Sequence, residues 1–365
     1  MKKCITVLLA LSLLLSVFLS SVQAEENKIV QDAYVFTMLD NGNLKLVEYT
    51  DKDAESIINI PSTVEGHQVE RIGAYAFANC KSSNITIPST VKMIEAFAFD
   101  NCSAIQKISI PNDVYFIDGN PFTNCQNLVN ISLDPKHPTL QVTSDGALYS
   151  KRNKMLLCYP CSKEDKEFSV LPGTLVIGKG AFRECDKLES IKLPETVTEI
   201  YEEAFLGCKK LKAIKLPGSL LKIGAMAFSD CTELASIRIP EKVSRIEGGT
   251  FSNCIALESV ILPQDMTDIA DLAFYGCAAL PRIGLPEKLS TIGEKAFAGC
   301  SVLTDAFVPV SVTKIGDNAF LDCSVRLYLH LEEYTFAEIY AKIYNISYTY
   351  DTPDDFLKQT PEVEN

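Results

Sequence analysis

Histidine is scarce in this 365-residue chain: His67, His137 and His330 are its three, far apart in sequence. From such positions no Ser/His/Asp or Cys/His nucleophile can be assembled, and zinc finds too few ligands. Basic residues are also in deficit, 34 Lys and Arg against 47 Asp and Glu for a net charge of −13. That balance argues against nucleic acid or anionic lipid as a partner. There is no glycine-rich phosphate loop and no calcium loop, and the acidic pairs Glu202-Glu203 and Asp354-Asp355 read as solvated surface or tail instead of a glycosidase couple. Beyond Ala24 no apolar run is long enough to span a bilayer. The expectation is a protein with no catalytic residue, no metal ligand set and no cofactor.

What is present begins with an export signal. Lys2 and Lys3 precede an apolar run from Ile5 to Leu19, and Val22-Gln23-Ala24 makes a small-residue cleavage site, so residues 1–24 read as a signal peptide. Cys4 stands before the apolar run, not after it as in a lipoprotein. The expected location is secreted, either extracellular or at the cell surface.

The rest is organised by repetition. Pro194, Pro217, Pro240, Pro263, Pro286 and Pro309 stand 23 residues apart, and Cys185 through Cys323 keep the same step. A period in the twenties marks a solenoid. Around Pro217 the apolar residues are Leu211, Ile214, Leu216, Leu220, Ile223, Phe228 and Cys231. The alternation of Ile214 and Leu216 is that of a strand with one buried face, ended by a proline that has no N–H for the ladder. Leu220 and Ile223 make a second apolar edge, often followed by glycine (Gly224, Gly293, Gly316) where the chain turns. Ala-Phe-x-x-Cys reads as a helical turn that drops Phe and Cys into the core. One repeat cannot bury its own apolar side, so neighbours must complete it.

The pattern L-x-x-I-x-[LI]-P-x-x-V-x-x-I-x-x-x-A-F-x-x-C, running from about Ile60 to Cys323, resembles the BspA-like leucine-rich repeats of secreted and surface proteins. The resemblance implies a leucine-rich-repeat solenoid of the repeat α/β class with short helical turns, right-handed and curved, with a parallel sheet on the concave face. It also implies binding of other macromolecules without catalysis.

Around the repeats, residues 25–59 read as a capping hairpin with the turn Asp40-Asn41-Gly42. The first repeat carries the extra residues Val64 to Val69, which the resemblance makes a cap feature. A hairpin at about 136–168 interrupts the stack, either as a projecting binding feature or as a structural insert. Residues 324–350, with helical spacing from Tyr334 to Tyr344, resemble a C-terminal cap, and the acidic residues 351–365 read as a disordered tail.

Ten cysteines occupy one equivalent position per repeat, where in-register stacking gives parallel Cβ vectors and poor disulfide geometry; they are expected as buried thiols. Cys158 and Cys161, in Cys158-Tyr-Pro-Cys161, stand outside that series. A local disulfide, two idle thiols and a metal or redox role are the readings open to them, though zinc has too few ligands nearby. Asn84-Ile-Thr86 and Asn130-Ile-Ser132 match glycosylation sequons in strand positions that make use doubtful.

The candidate site is the outward face of the strand before each proline. Two residues before the proline, successive repeats place Lys192, Lys215 and Arg238 and then Ile261, Gly284 and Phe307; four before it stand Lys107 and Arg282. Three adjacent cations beside an apolar patch, on an acidic protein, suit an anionic or amphipathic partner. The ligand-binding expectation is therefore Lys107, Lys192, Lys215, Arg238, Ile261, Arg282 and Phe307, facing an extracellular protein or glycan. Ordinary surface variation is the competing reading, as are an extracellular redox factor built on Cys158 and Cys161 and a purely structural surface-layer component.

Overall fold

Around each proline the chain lays down two strands, not one. The computed structural model describes residues 28–54, 57–324, 328–331 and 333–350. The leader 1–24 and the tail 351–365 lie outside the described residues, as does the start of the last strand at 325–327.

The alternating residues before the proline form the first strand of each turn. Ser190–Lys192 pairs in parallel with Ala213–Ile214, Ile191 standing against Ile214, and Ser236–Arg238 pairs with Ser259–Ile261, Ile237 against Val260. The second apolar edge proves to be a strand as well. Glu199–Ile200 pairs with Lys222–Ile223, and Ile246, Ile269, Ile292 and Ile315 stand in one parallel register farther along. Isoleucine points inward at each of these rungs and a polar residue such as Arg245 or Lys314 outward.

The Ala-Phe-x-x-Cys segment is not helical. Along Glu203 to Cys208 the backbone N–H groups alternate between the chain's own turn and the next one. Ala204, Leu206 and Cys208 bond back to Tyr201, Glu203 and Phe205, while Glu203, Phe205 and Gly207 donate forward to Ala225, Ala227 and Ser229 at 2.8–3.0 Å. Left-handed residues at Glu203 and Gly207 produce the alternation. A helix would spend every N–H within its own turn; this path gives half of them to the neighbour and adds a third line of cohesion to the stack.

The glycine after the second strand has a different cause from the turn expected of it. Gly224, Gly293 and Gly316 do not need positive φ; a Cβ at Gly293 would lie 2.3 Å from the backbone nitrogen of Asp271 in the preceding turn. Replacing Gly293 with alanine forces two backbones apart, and the expected loss is about 2 kcal/mol or more in urea unfolding.

The interior is a file of aromatic rings. Phe182, Phe205, Phe228, Phe251, Phe274, Phe297 and Phe320 stack with centroids 4.9–5.5 Å apart and planes within 12°. Beside them run the thiols. Cys231 donates to the Phe205 carbonyl at 3.3 Å and Cys254 to that of Phe228 at 3.1 Å, and each rung repeats the contact. All twelve described cysteines are free, and burial pushes the Cys254 thiol up to about 12.

The interruption at 136–168 forms a wall inside the solenoid. Leu140–Val142, Leu148–Ser150 and Met155–Cys158 make an antiparallel meander whose last strand joins the second-strand sheet beside Val176–Ile177. Ala147, Tyr149, Leu156 and Tyr159 pack into the core on the C-terminal side. Leu148, Met155, Leu157 and Cys158 pack into the core on the N-terminal side. Asn120, 2% exposed, ties the halves together across the wall: its Nδ2 donates to the Gly180 carbonyl at 2.8 Å and its Oδ1 accepts from Phe122 N–H.

His137 anchors the entry to this meander. Its Nε2 faces the Pro111 carbonyl at 3.2 Å and its Nδ1 accepts from Leu140 N–H at 3.2 Å. The acceptor role requires a neutral ring, and burial, with Lys151 adding to it, holds the His137 pKa below the ordinary 6.5 while Asp134 and the Pro111 carbonyl pull the other way. With the folded pKa depressed, this contribution is complete above 6.5 and is lost as pH falls below it. Urea midpoints measured between pH 7 and 5 should therefore fall for the wild type, and less steeply for His137→Asn.

The stack is closed at both ends. Lys28–Gln31, Tyr34–Met38 and Leu44–Tyr49 form an antiparallel sheet that continues in parallel into His67–Ile72. At the other end a helix, Phe336–Ile343, capped by Thr335, buries Ala337, Tyr340 and Ala341 and leaves Ile339 and Ile343 exposed.

Candidate functional site

The outward face of the first-strand sheet carries the predicted residues, and the structure divides them. Lys107, Lys192, Lys215 and Arg238 are exposed, Ile261 and Arg282 are half-buried, and Phe307 is buried at 5% exposure. Phe307 stands in register between Gly284 and His330. Buried there, it is not the exposed apolar contact the alternation suggested, and the apolar patch shrinks to Ile261. Lys107, on a sheet with Asn130–Ser132, lies along the N-terminal core, on the other side of the 136–168 wall from Lys192. Arg282 faces Asp305 across its ladder.

What remains together is Lys192, Lys215 and Arg238. Neighbouring cations are consumed locally: Glu189 takes both Lys166 at 2.9 Å and Lys212 at 2.6 Å, which draws its carboxyl down to about 2, and Lys210 pairs with Glu233 at 2.6 Å. Among the described residues no carboxylate lies within ion-pair distance of Lys192, Lys215 or Arg238. Three unneutralised charges on an acidic chain make a local positive field that an anionic group would enter with little competition.

The sheet also lapses at this point. Ala213–Ile214 and Ser236–Arg238 are successive rungs, yet they belong to different hydrogen-bonded sheets. Val170 donates to Lys192, Ile239 to Ile261 and Val308 to His330 of the next rung, whereas Leu193, Leu216, Leu262 and Leu285 make no such bond. Comparable lapses separate Ile85–Thr86 from Lys107–Ser109, with no proline there either, and Ser259–Ile261 from Arg282–Gly284, where Pro281 has no N–H to give; between 213–214 and 236–238 the Ala235 N–H still reaches the Lys212 carbonyl at 3.2 Å. A cavity of about 410 Å³ lies against these strands, lined by the apolar Ile214, Leu216, Ile237, Ile239 and Pro240 and by the cations Lys215, Arg238 and Lys242. Periodicity could not have revealed this groove, because the repeats on both sides of it fit the consensus.

A larger hollow of about 650 Å³ lies on the second-strand face between Arg245 and Lys314. Its acidic groups are already engaged, Asp271 by the Glu294 N–H and Asp317 by the Tyr344 hydroxyl. No group among the described residues brings together three potential metal ligands.

Cys158 and Cys161 occupy the dividing wall as free thiols. The residue between them explains the motif. Tyr159 takes the place of a rung phenylalanine: its N–H reaches the Ala181 carbonyl at 2.8 Å, its ring lies 5.7 Å from Phe182, and its carbonyl faces the Cys185 thiol at 3.7 Å. Cys158 is 1% exposed and burial pushes its thiol well up; the Cys161 thiol is raised by burial to about 11. Thiolate chemistry needs the opposite shift.

Two short parallel strands per turn, a turn-by-turn ladder and a file of buried Phe and Cys define a leucine-rich-repeat solenoid. The chain belongs to the BspA type leucine rich repeat family, whose model matches residues 51–154, 158–281 and 222–350. Among solved structures, a leucine-rich repeat protein from Eubacterium ventriosum is similar at 23% identity over 81% of this chain and 94% of that one, with a TM-score of 0.62. That likeness is one of fold. A leucine rich cell surface protein from Faecalibacterium prausnitzii matches at 22% identity over 76% and 94% of the two chains, TM-score 0.46. The pneumococcal vaccine antigen PcpA matches at 15% identity over 89% and 98%, TM-score 0.39. No curated protein matches the chain.

Proposed function

We propose that this is an exported binding protein that engages a protein partner outside the cell through the face formed by the first strands. The observation that carries the reading is the set of unpaired cations Lys192, Lys215 and Arg238, side by side on a chain of net charge −13. Proteins of this family are generally non-enzymatic binding scaffolds, and the leader at residues 1–24 supports export. Protein is favoured over glycan because this face offers no exposed aromatic ring between Thr86 and Asp305 on which a sugar could stack.

The test is capture from an array of extracellular-matrix proteins and glycans. The mature protein should retain at least one protein spot, and the Lys192→Glu, Lys215→Glu, Arg238→Glu triple variant should lose it. All three side chains are exposed, so the fold should survive the change. Undiminished capture by the triple variant would remove this face as the binding surface.

A further inference from the structure

We propose that the groove between the strands 213–214 and 236–238 is a docking slot for an extended acidic peptide segment, with one apolar side chain in the slot and carboxylates at its rim. The proposal rests on the reading of this face as the binding surface and adds the chemistry of what it recognises. Three observations converge on it. A cavity of about 410 Å³ lies against these two strands, where their ladder is incomplete. The floor is apolar, made by Ile214, Leu216, Ile237 and Ile239, which suits a buried aliphatic side chain. Among the described residues no carboxylate pairs with Lys215, Arg238 or Lys242, and the cavity's lining holds a single acid, Glu241.

Charge complementarity fixes the sign of the occupant and the apolar floor fixes its character. A bare polyanion would satisfy the rim and leave the floor wet; an apolar segment would leave the cations unmet. An acidic segment carrying one leucine or phenylalanine answers both.

The test uses a fluorescein-labelled peptide of aspartates around a central leucine, titrated by anisotropy into the mature protein. Controls are the same peptide with serine for leucine and with lysine for aspartate. Wild type should bind the leucine peptide, and the serine peptide at least about tenfold more weakly. Ala213→Trp fills the slot from its exposed rim, Arg238→Glu reverses the charge, and each should weaken binding by about tenfold or more, while Lys107→Glu on the separate sheet leaves it unchanged. Circular dichroism checks the fold of Ala213→Trp, and Arg238→Glu decides the matter if that variant misfolds. Equal affinity for the leucine and serine peptides would overturn the slot in favour of a plain polyanion surface. A dimer in sedimentation that Ala213→Trp dissolves would overturn it by assigning the groove to a second copy of the chain. No peptide binding, with array capture still lost in the triple Glu variant, would sink the slot and leave the broader reading standing.

Discussion

Replacing Phe228 with alanine should lower the free energy of unfolding by about 3–5 kcal/mol. Phe228 is fully buried, with the rings of Phe205 and Phe251 stacked 4.9 and 5.5 Å away. Its backbone carbonyl accepts the Cys254 thiol at 3.1 Å, so any backbone shift into the void left by the ring would also strain the rung above. In a solenoid each turn touches only its neighbours, and the damage should spread to both adjoining interfaces. Hydrogen exchange should then show faster opening around Phe205 and Phe251, with Phe77 and Phe99 beyond the wall unaffected. Phe320, which has a phenylalanine on one side and the tilted Tyr340 ring at 6.2 Å on the other, should cost less when truncated. A Phe228→Ala protein within about 1 kcal/mol of wild type would show that the rings carry little of the cohesion.

The second large effect is expected in the dividing wall. Leu156→Asp should cost about 4 kcal/mol or more, because it places a carboxylate in a fully buried apolar position and leaves a void. Leu156 faces the C-terminal core and Leu157, its neighbour, the N-terminal core. Distortion of that strand should therefore lower hydrogen-exchange protection in both halves. A hairpin projecting from the stack would behave differently: the aspartate would be solvated, and stability would change by no more than about 0.5 kcal/mol.

That wall shows where sequence reasoning runs out. The unalternating run Met155 to Tyr159 marks a strand with both faces buried, and it was legible as a hairpin strand. Its position was not, because nothing in a linear pattern says which two cores a strand separates. The first strand, the aromatic file and the buried thiols were legible from the fixed step of Pro, Phe and Cys. The second strand was not, since two residues such as Thr291–Ile292 are too few to show alternation. The left-handed positions divide in the same way. Asn253, Gly276, Gly299 and Asp322 are residues that favour positive φ, whereas Met226, Leu272 and Lys295 adopt it with no local preference for it. There the forward hydrogen bonds to Gly248, Glu294 and Asp317 impose the conformation. The outward column Lys192, Lys215, Arg238 followed directly from alternation; Phe307 did not obey it because outward direction is not the same as exposure.

The central claim is that successive turns supply one another's interior, so that any regular turn is interchangeable with its neighbour. Excision of one complete repeat, residues 241–263, tests it most directly, because Pro240 and Pro263 are one 23-residue step apart. The shortened chain should fold, unfold cooperatively in urea and keep its Phe and Cys files in register. A chain shortened instead by residues 241–258 breaks that register and should fail to fold. Equal disruption by both deletions would contradict the account.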